Sequence, residues 1–270
     1  GGSRIVAQQA SRLGELLMAI FCPDDLRTWT GGDWNCRDLK VSVTGFCQDT
    51  RRLGSGEMFV ALKTGKRDGH DFLDAAKDRG ASSALVENWV ESSDLPQLKV
   101  ADCGEAFLSM GREHRLRFKG KVIGVTGTCG KTSTKDALHL LLDPDICHAT
   151  SGNFNNLIGV PLTLLKIDAK RHRRAVIEAG INEVGEMTKL ASAIAPDVAV
   201  ITMVGPGHLE GLGSVETVAR EKALLCEHAD REVVTVLPES CLQHVAFANL
   251  RGKRLVLRRG SLEREPDEGT

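Results

Sequence analysis

Apolar positions change rhythm along the chain near residue 120. Before that point they come in short runs. Leu13, Leu16, Leu17 and Ile20 recur at helical spacing and predict a helix over 8–20. Strand-like runs follow at 40–44 and 58–62. A helix over 72–79 is stopped by Gly80, with a strand at 83–86 and a helix over 105–116 after it. The basic, glycine-containing stretch 115–121 marks a boundary, so residues 1–116 read as a small N-terminal α/β domain. After the boundary the strands become continuous apolar runs. Residues 122–125 lead into a Gly-rich turn and a helix through Leu142, and a strand follows at 174–178. A helix over 186–195 carries Met187, Leu190, Ala191 and Ile194. Next come a strand at 197–202, a helix at 215–229 and a strand at 232–237. Buried strands alternating with helices predict a mostly parallel sheet flanked by helices over 117–270. The polar tail 263–270 is expected to fray.

Composition narrows the function classes. At roughly 100–200 residues per domain, 270 residues fit two domains. Lys+Arg (35) and Asp+Glu (36) nearly cancel, Tyr is absent and aromatics total 4%, so neither a basic field nor a stacking platform favours nucleic acid. No apolar run approaches the ~20 residues that span a bilayer, and no basic-then-apolar leader opens the chain, so no membrane partner is expected. The chain starts Gly1-Gly2-Ser3 without methionine, which reads as either a trimmed start or a few added residues. The eight cysteines form no C-x-x-C pair or zinc spacing and read as reduced thiols of a cytoplasmic protein.

The sharpest chemical signal is Gly124-Val125-Thr126-Gly127-Thr128-Cys129-Gly130-Lys131-Thr132-Ser133, between a buried strand and a helix. Backbone N–H groups and the helix dipole at such a turn face an anion. Gly127 and Gly130 let the backbone approach phosphate oxygens. Lys131 can reach the β/γ-phosphates and Thr132 can ligate Mg²⁺. Thr-Gly-Thr-x-Gly-Lys-Thr resembles the phosphate loop of the Mur ligases and their folylpolyglutamate synthetase relatives, which usually carry Asn where this chain has Cys129. The swap leaves the backbone cradle possible and removes an amide side chain.

The resemblance runs over nearly the whole chain. Ser151-Gly152-Asn153-Phe154-Asn155-Asn156-Leu157-Ile158-Gly159-Val160-Pro161-Leu162-Thr163 is similar to a segment of the D-alanyl-D-alanine-adding Mur ligases. The amides of Asn153, Asn155 and Asn156 either bind substrate, phosphate or metal-bound water, or cap the next helix. Glu178 closes a strand and looks like the family's Mg²⁺-binding Glu. Gly207-His208-Leu209-Glu210-Gly211 is similar to the segment whose His serves a second metal. Lys222 stands where the family has a carbamylated Lys. The sequence supports that position independently. Lys222 falls within the apolar face formed by Val215, Val218, Ala219, Leu225 and Cys226, where desolvation lowers an amine's pKa and favours the neutral form that adds CO₂. Asp49-Thr50-Arg51 and Gly56 to Phe72, with Lys63, resemble the family's UDP-binding module. One departure stands out: Glu183 replaces the family's usual His.

The resemblance implies a P-loop-type central domain after the UDP-binding domain, with ATP held by Gly127, Thr128, Cys129, Gly130, Lys131, Thr132 and Ser133. It implies two Mg²⁺ ions, one on Thr132 and Glu178, the other on His208 and carbamylated Lys222. Lys131, Glu178, His208 and Lys222 are the expected catalytic residues. Asp49, Thr50, Arg51, Lys63, Asn153, Asn155 and Asn156 are the expected substrate contacts. The implied reaction is ATP-dependent joining of UDP-N-acetylmuramoyl-tripeptide to D-alanyl-D-alanine, by a cytoplasmic monomer. Nothing in the sequence resembles the family's third domain, so the chain is expected to be a fragment, inactive alone. Two alternatives stay open: another Mur ligase step, or a non-catalytic module binding ATP or a UDP-sugar.

Overall fold

The computed structural model describes residues 21–36, 41–65, 67–227, 232–250 and 252–258. The helix expected over 8–20 and the polar tail lie outside them. The fold is α/β, built on two main sheets. Helix α1 (Pro23–Thr30) begins with Pro at its first position and Asp24 and Asp25 in its first turn, and stops at left-handed Gly31. These are strong start and stop signals. The first sheet has the order β1-β7-β6-β3-β2: β1 is Asp33–Trp34, β2 Phe46–Cys47, β3 Met58–Val60, β6 Ser83–Val86 and β7 Gln97–Lys99. A short hairpin, β4 (Lys63–Thr64) with β5 (Arg67–Asp68), follows β3. Strand alternation divides the packing. Met58 and Val60 face a core shared with Leu26, Trp29, Phe107 and Met110, while Phe59 and Ala61 pack with Leu73 and Ala76 of α2 (Leu73–Asp78).

One expected strand is corrected. Over 41–44 there is no ladder strand; Val43 makes only an isolated bridge to Phe21, and Lys40 lies outside the described residues. The pairing strand is β2, whose two successive residues are both buried. Alternation at 41–44 marks a half-exposed segment, whereas a strand buried on both faces carries consecutive apolar residues. The helix expected from 72 begins as a 3₁₀ turn, Gly69–Phe72.

Helix α3 (Cys103–Arg117) joins the two layers. Its Phe107 and Met110 belong to the first core and its Leu108 to the second. The second sheet is parallel throughout, in the order β13-β12-β11-β8-β10-β9. Its strands are β8 Lys121–Thr126, β9 Cys147–Ala149, β10 Arg174–Glu178, β11 Val198–Ile201, β12 Val234–Pro238 and β13 Arg254–Leu257. Helices α4 (Lys131–Leu141), α5 (Gly159–Leu164), α6 (Glu186–Ile194), α7 (Leu209–Leu212), α8 (Val215–Ala223) and α9 (Val245–Ala248) connect or cover them. Helix α8 is shorter than the helix expected over 215–229: it tightens into a 3₁₀ turn at Leu224–Cys226. Among the described residues no helix is long and apolar enough to cross a membrane.

Arg115 pins α3 to the second sheet. Its guanidinium is buried, donates to the carbonyls of Ile194, Ala195 and Phe118, and pairs with Asp197 at 2.9 Å. It therefore satisfies the last carbonyls of α6 and neutralises a carboxylate at the start of β11. Burial alone would raise the Asp197 carboxyl. The Val122 N–H, Arg115 and Lys121 outweigh it and hold the group below its ordinary pKa. Arg115→Ala takes the guanidinium from three carbonyls and leaves Asp197 held only by the Val122 N–H and Lys121, so it is expected to cost roughly 1–3 kcal/mol, read from denaturant unfolding. Because the folded pKa of Asp197 is depressed, its contribution is full above the ordinary carboxylate pKa and is lost as pH falls through the folded value. Asp197→Asn should flatten the acid limb of the stability profile; an unchanged acid limb would contradict this account.

Candidate active site

Strand β8 lies between β10 and β11; the chain leaves β8 toward β9 on one side of the sheet and leaves its neighbour β11 toward β12 on the other. Ligands of open parallel sheets gather at the carboxyl ends of strands at such a switch point. The three ends are level: Glu178 pairs with Val125, and Ile201 with Thr126. The Gly-rich turn after β8 therefore opens between the ends of β10 and β11. Gly127 has φ +155, and a Cβ there would lie 1.9 Å from Thr202 Oγ1. Thr202 Oγ1 in turn donates to the Cys129 carbonyl at 2.5 Å, tying the loop to the end of β11. Gly130, at φ +84, turns the chain into α4. Lys131 folds over the loop, donating to the Gly127 carbonyl at 2.9 Å. Thr128 exchanges hydrogen bonds with the backbone of Gly205. Cys129, Thr132 and Ser133 are exposed at the mouth.

Glu178 is 1% exposed, and each of its carboxylate oxygens accepts one side-chain hydrogen bond. Oε2 accepts from Thr132 Oγ1 at 3.0 Å and Oε1 from Asn155 Nδ2 at 2.7 Å. The three asparagines divide their work. Asn155 holds Glu178. Asn156 Oδ1 accepts from the N–H groups of Ile158 and Gly159 and so caps α5. Asn153 is exposed in the loop just before them.

Lys222 lies buried on α8, and among the described residues no side chain is hydrogen-bonded to its ammonium. Burial, with the charge of Lys131 adding to it, brings its pKa down to about 8. His208 is exposed and starts α7 with a left-handed backbone, φ 52 and ψ 35. A non-glycine residue held there stores roughly 1–3 kcal/mol of strain, and such strain collects at functional sites. Its neighbours fix it over the loop. A Cβ on Gly207 would meet Thr128 at 2.7 Å, and one on Gly211 would meet the Asn182 carbonyl at 2.1 Å. Glu183, the departure from the family pattern, is exposed; its N–H and that of Asn182 bond Glu186 at the start of α6.

A cleft of about 420 Å³ lies between the two sheets' loops, lined by Asp49 and Arg52 from one side and by His148, Ser151, Phe154 and Lys166 from the other. Arg51 grips the Asp49 carboxylate through two hydrogen bonds and holds its pKa down to about 2. Thr50 is half-buried beside them. Lys63 lies outside this lining, paired with Glu87 at 2.9 Å. The Asp68-Gly69-His70 run is a clasp. His70 Nδ1 meets Asp68 at 2.5 Å, and Nε2 accepts from the Glu87 N–H at 2.8 Å. A Cβ on Gly69 would strike Ala61.

Residues 125–258, the strand, loop and helices just described, match the Mur ligase middle domain. The chain belongs to the Mur ligase family. It is 36% identical over 205 residues to the UDP-N-acetylmuramoyl-tripeptide--D-alanyl-D-alanine ligase of Haemophilus influenzae, covering 74% of this chain and 45% of that protein. Among solved structures it is similar to MurF from Acinetobacter baumannii, with TM-score 0.79 and 29% identity over 90% of this chain and 54% of that one. It is also similar to MurF ligase from Thermotoga maritima in complex with ADP, with TM-score 0.68 and 31% identity over 79% of this chain and 49% of that one. The chain spans under half the length of the Haemophilus influenzae relative.

Within this Mur ligase chain, the donor set at the loop mouth, the Glu178 carboxylate and the Thr132 hydroxyl, is of the oxygen type that a hard divalent ion takes. Among the described residues no three His, Cys, Asp or Glu side chains converge on a point. Three residues that sequence reasoning missed hold the site together: Thr202, Thr150 and Lys135. Their signal is tertiary, since each acts on a residue distant in sequence. The loop geometry gives a direct check. Gly127→Ala should lose roughly 1–3 kcal/mol, from a strained φ and the clash with Thr202. Adding Thr202→Ala should recover part of that loss in a double-mutant cycle. Additive losses would show that the two residues do not touch.

Proposed function

We propose that this chain supplies the precursor-binding and ATP-binding parts of a D-alanyl-D-alanine-adding Mur ligase. Its two domains, 1–116 and 117–270, would meet within α3. The reading is carried by one observation: the buried Glu178 carboxylate is held between the Thr132 hydroxyl and the Asn155 amide at the mouth of the phosphate loop. The likeness to a tripeptide--D-alanyl-D-alanine ligase and to an ADP-bound MurF supports the substrate assignment. The site would work as a monomer in the cytoplasm.

In this reading ATP lies along the loop. The Thr128 N–H stays on the Met203 carbonyl; the backbone N–H groups of 129–133, at the start of α4, face its phosphates, and Lys131 leaves the Gly127 carbonyl to meet the β/γ oxygens. The terminal carboxylate of UDP-N-acetylmuramoyl-tripeptide attacks the γ-phosphorus and the bond to ADP breaks. The amine of D-alanyl-D-alanine then adds to the acyl phosphate carbonyl, expels inorganic phosphate and loses a proton as the amide forms. Mg²⁺ ions bound by Thr132 with Glu178, and by His208 with carbamylated Lys222, would offset the charge gathering on the phosphoryl oxygens. The cleft beside Asp49 would take the uridine end of the precursor, and Asn153 would face its peptide. Lys63 would join only by leaving Glu87.

Two measurements test this reading. Lys131→Ala should abolish ATP binding in calorimetry while binding of the UDP-linked precursor survives, because the two sites use different elements; unchanged ATP affinity would remove the phosphate-loop assignment. With a pKa of about 8 in place of 10.5, Lys222 is largely neutral at pH 8.5. A ¹³C-carbamate resonance should therefore grow in labelled bicarbonate as pH rises through 8 and be missing from Lys222→Met. A signal that persists in the variant would assign the carbamate elsewhere. The 270 residues alone are expected to bind the precursor without ligating it, since positioning of the amine is worth roughly 7–11 kcal/mol of barrier.

A further inference from the structure

Lys135 is 4% exposed, although it lies one turn beyond Lys131 on α4. Its nearest carboxylate, Asp136 at 2.6 Å, is itself 60% exposed and belongs to the same helix turn. A lysine buried in this way loses hydration and gains no packing that methionine would not supply. What it gains is a single contact across the fold: Nζ donates to the Thr150 carbonyl at 2.9 Å. Thr150 is the first residue after β9, where the chain leaves the sheet for the asparagine loop. Its N–H still reaches the Val176 carbonyl at 3.0 Å. Its own side chain turns inward, and Oγ1 accepts from the Glu178 N–H at 3.0 Å.

These bonds close a circuit. Thr132 and Lys135, three residues apart on one face of α4, grip the two ends of a short path: Thr132 holds the Glu178 carboxylate, and Lys135 holds the residue that bonds the Glu178 main chain. Asn155 closes the other side, with its amide on Glu178 Oε1 and its carbonyl accepting from Gly180 N at 2.8 Å. A carboxylate that must meet a metal ion in one orientation needs partners that fix it, and removing such outer partners typically costs 10–100-fold in metal affinity.

We propose that Lys135 is a positioning residue of the nucleotide site: by holding the Thr150 carbonyl it fixes the end of β9 and, through Thr150, the orientation of Glu178 toward a divalent cation on the nucleotide phosphates. This rests on the ATP-site reading above. Lys135 touches neither phosphate nor metal; it acts through Thr150.

The test is calorimetric titration of ADP into the full chain, with Mg²⁺ and with EDTA. The gain in ADP affinity that Mg²⁺ brings should fall about tenfold in Lys135→Met, while metal-free ADP affinity stays within about twofold of wild type. A Lys135→Met variant that keeps the whole Mg²⁺ gain overturns the proposal. So does one that loses metal-free and metal-dependent affinity equally, because that is the mark of general damage or of lost positive charge. If Lys135→Met fails to fold, the Thr150 pair decides. Thr150→Val should lose the Mg²⁺ gain and Thr150→Ser should restore it; equal behaviour of the two overturns the relay. A wild-type chain that binds no Mg·ADP overturns the ATP-site reading and this inference together. Binding by wild type with no selective effect in the variants overturns this inference alone.

Discussion

The close approach of the turn after β8 to the end of β11 is the constraint on which the rest of the site depends. Thr202 Oγ1 occupies the space a Gly127 side chain would need and bonds the Cys129 carbonyl. That contact requires β8 and β11 to end level, which their parallel register provides. The same register with β10 brings Glu178 to the other side of the turn. Thus one strand order puts a backbone cradle, a cationic side chain and a carboxylate within one crevice, and each comes from a different element. The loop residues alone would make a Gly-rich turn; the neighbouring strand ends turn it into a site.

The joint between the layers follows a related logic. Helix α3 contributes to both cores, and a Cβ on Gly111 would stand 2.9 Å from Pro161 Cα, so α3 and α5 pack with their backbones nearly in contact. Helix α5 is capped by Asn156, in the same loop whose Asn155 holds Glu178. The segment that seats one layer on the other is therefore continuous with the segment that orients the carboxylate. The cleft beside Asp49 opens along this seam, with walls from both layers.

Much of this was legible in the sequence where pattern and chemistry are local. Strands β8, β10, β11 and β12 of the second sheet read as apolar runs, with the 174–178 strand matching β10, whereas β9 and β13 did not. Lys222 was placed in an apolar helix face, and it is buried with a lowered pKa. Illegible features depend on partners far along the chain. Short strands such as β1, β7 and β9 are set by pairing and carry too few residues to show a period. The asparagine run shows its amides but not their division of labour, since capping and carboxylate holding use the same residue type. Lys135 sits in a helix whose charged residues look like a solvated face, and only the fold reveals that its ammonium is turned inward to Thr150.

Charge distribution completes the physical picture. The chain as a whole is nearly neutral, with a formal net charge of −1. A neutral protein draws in no polyanion by its overall field, so attraction to a nucleotide has to be local. Locally the balance is uneven: Lys131 covers the loop, Lys222 is close enough for the two charges to repel, and Lys135 lies behind on α4. Against them stand the buried carboxylates of Glu178 and, beside Lys222 on α8, Glu221, both already engaged by neutral donors. Burial is the main reason for the low Lys222 pKa, and the added repulsion from Lys131 is relieved in two ways: by an anion arriving on Lys131, or by Lys222 giving up its proton. Converting the neutral amine to a carbamate would go further, replacing a cation by an anion at the same place. Phosphate on Lys131 and a carbamate at Lys222 would each remove positive charge that favours the other, so the two would be held together only with cations between them, the role proposed above for Mg²⁺.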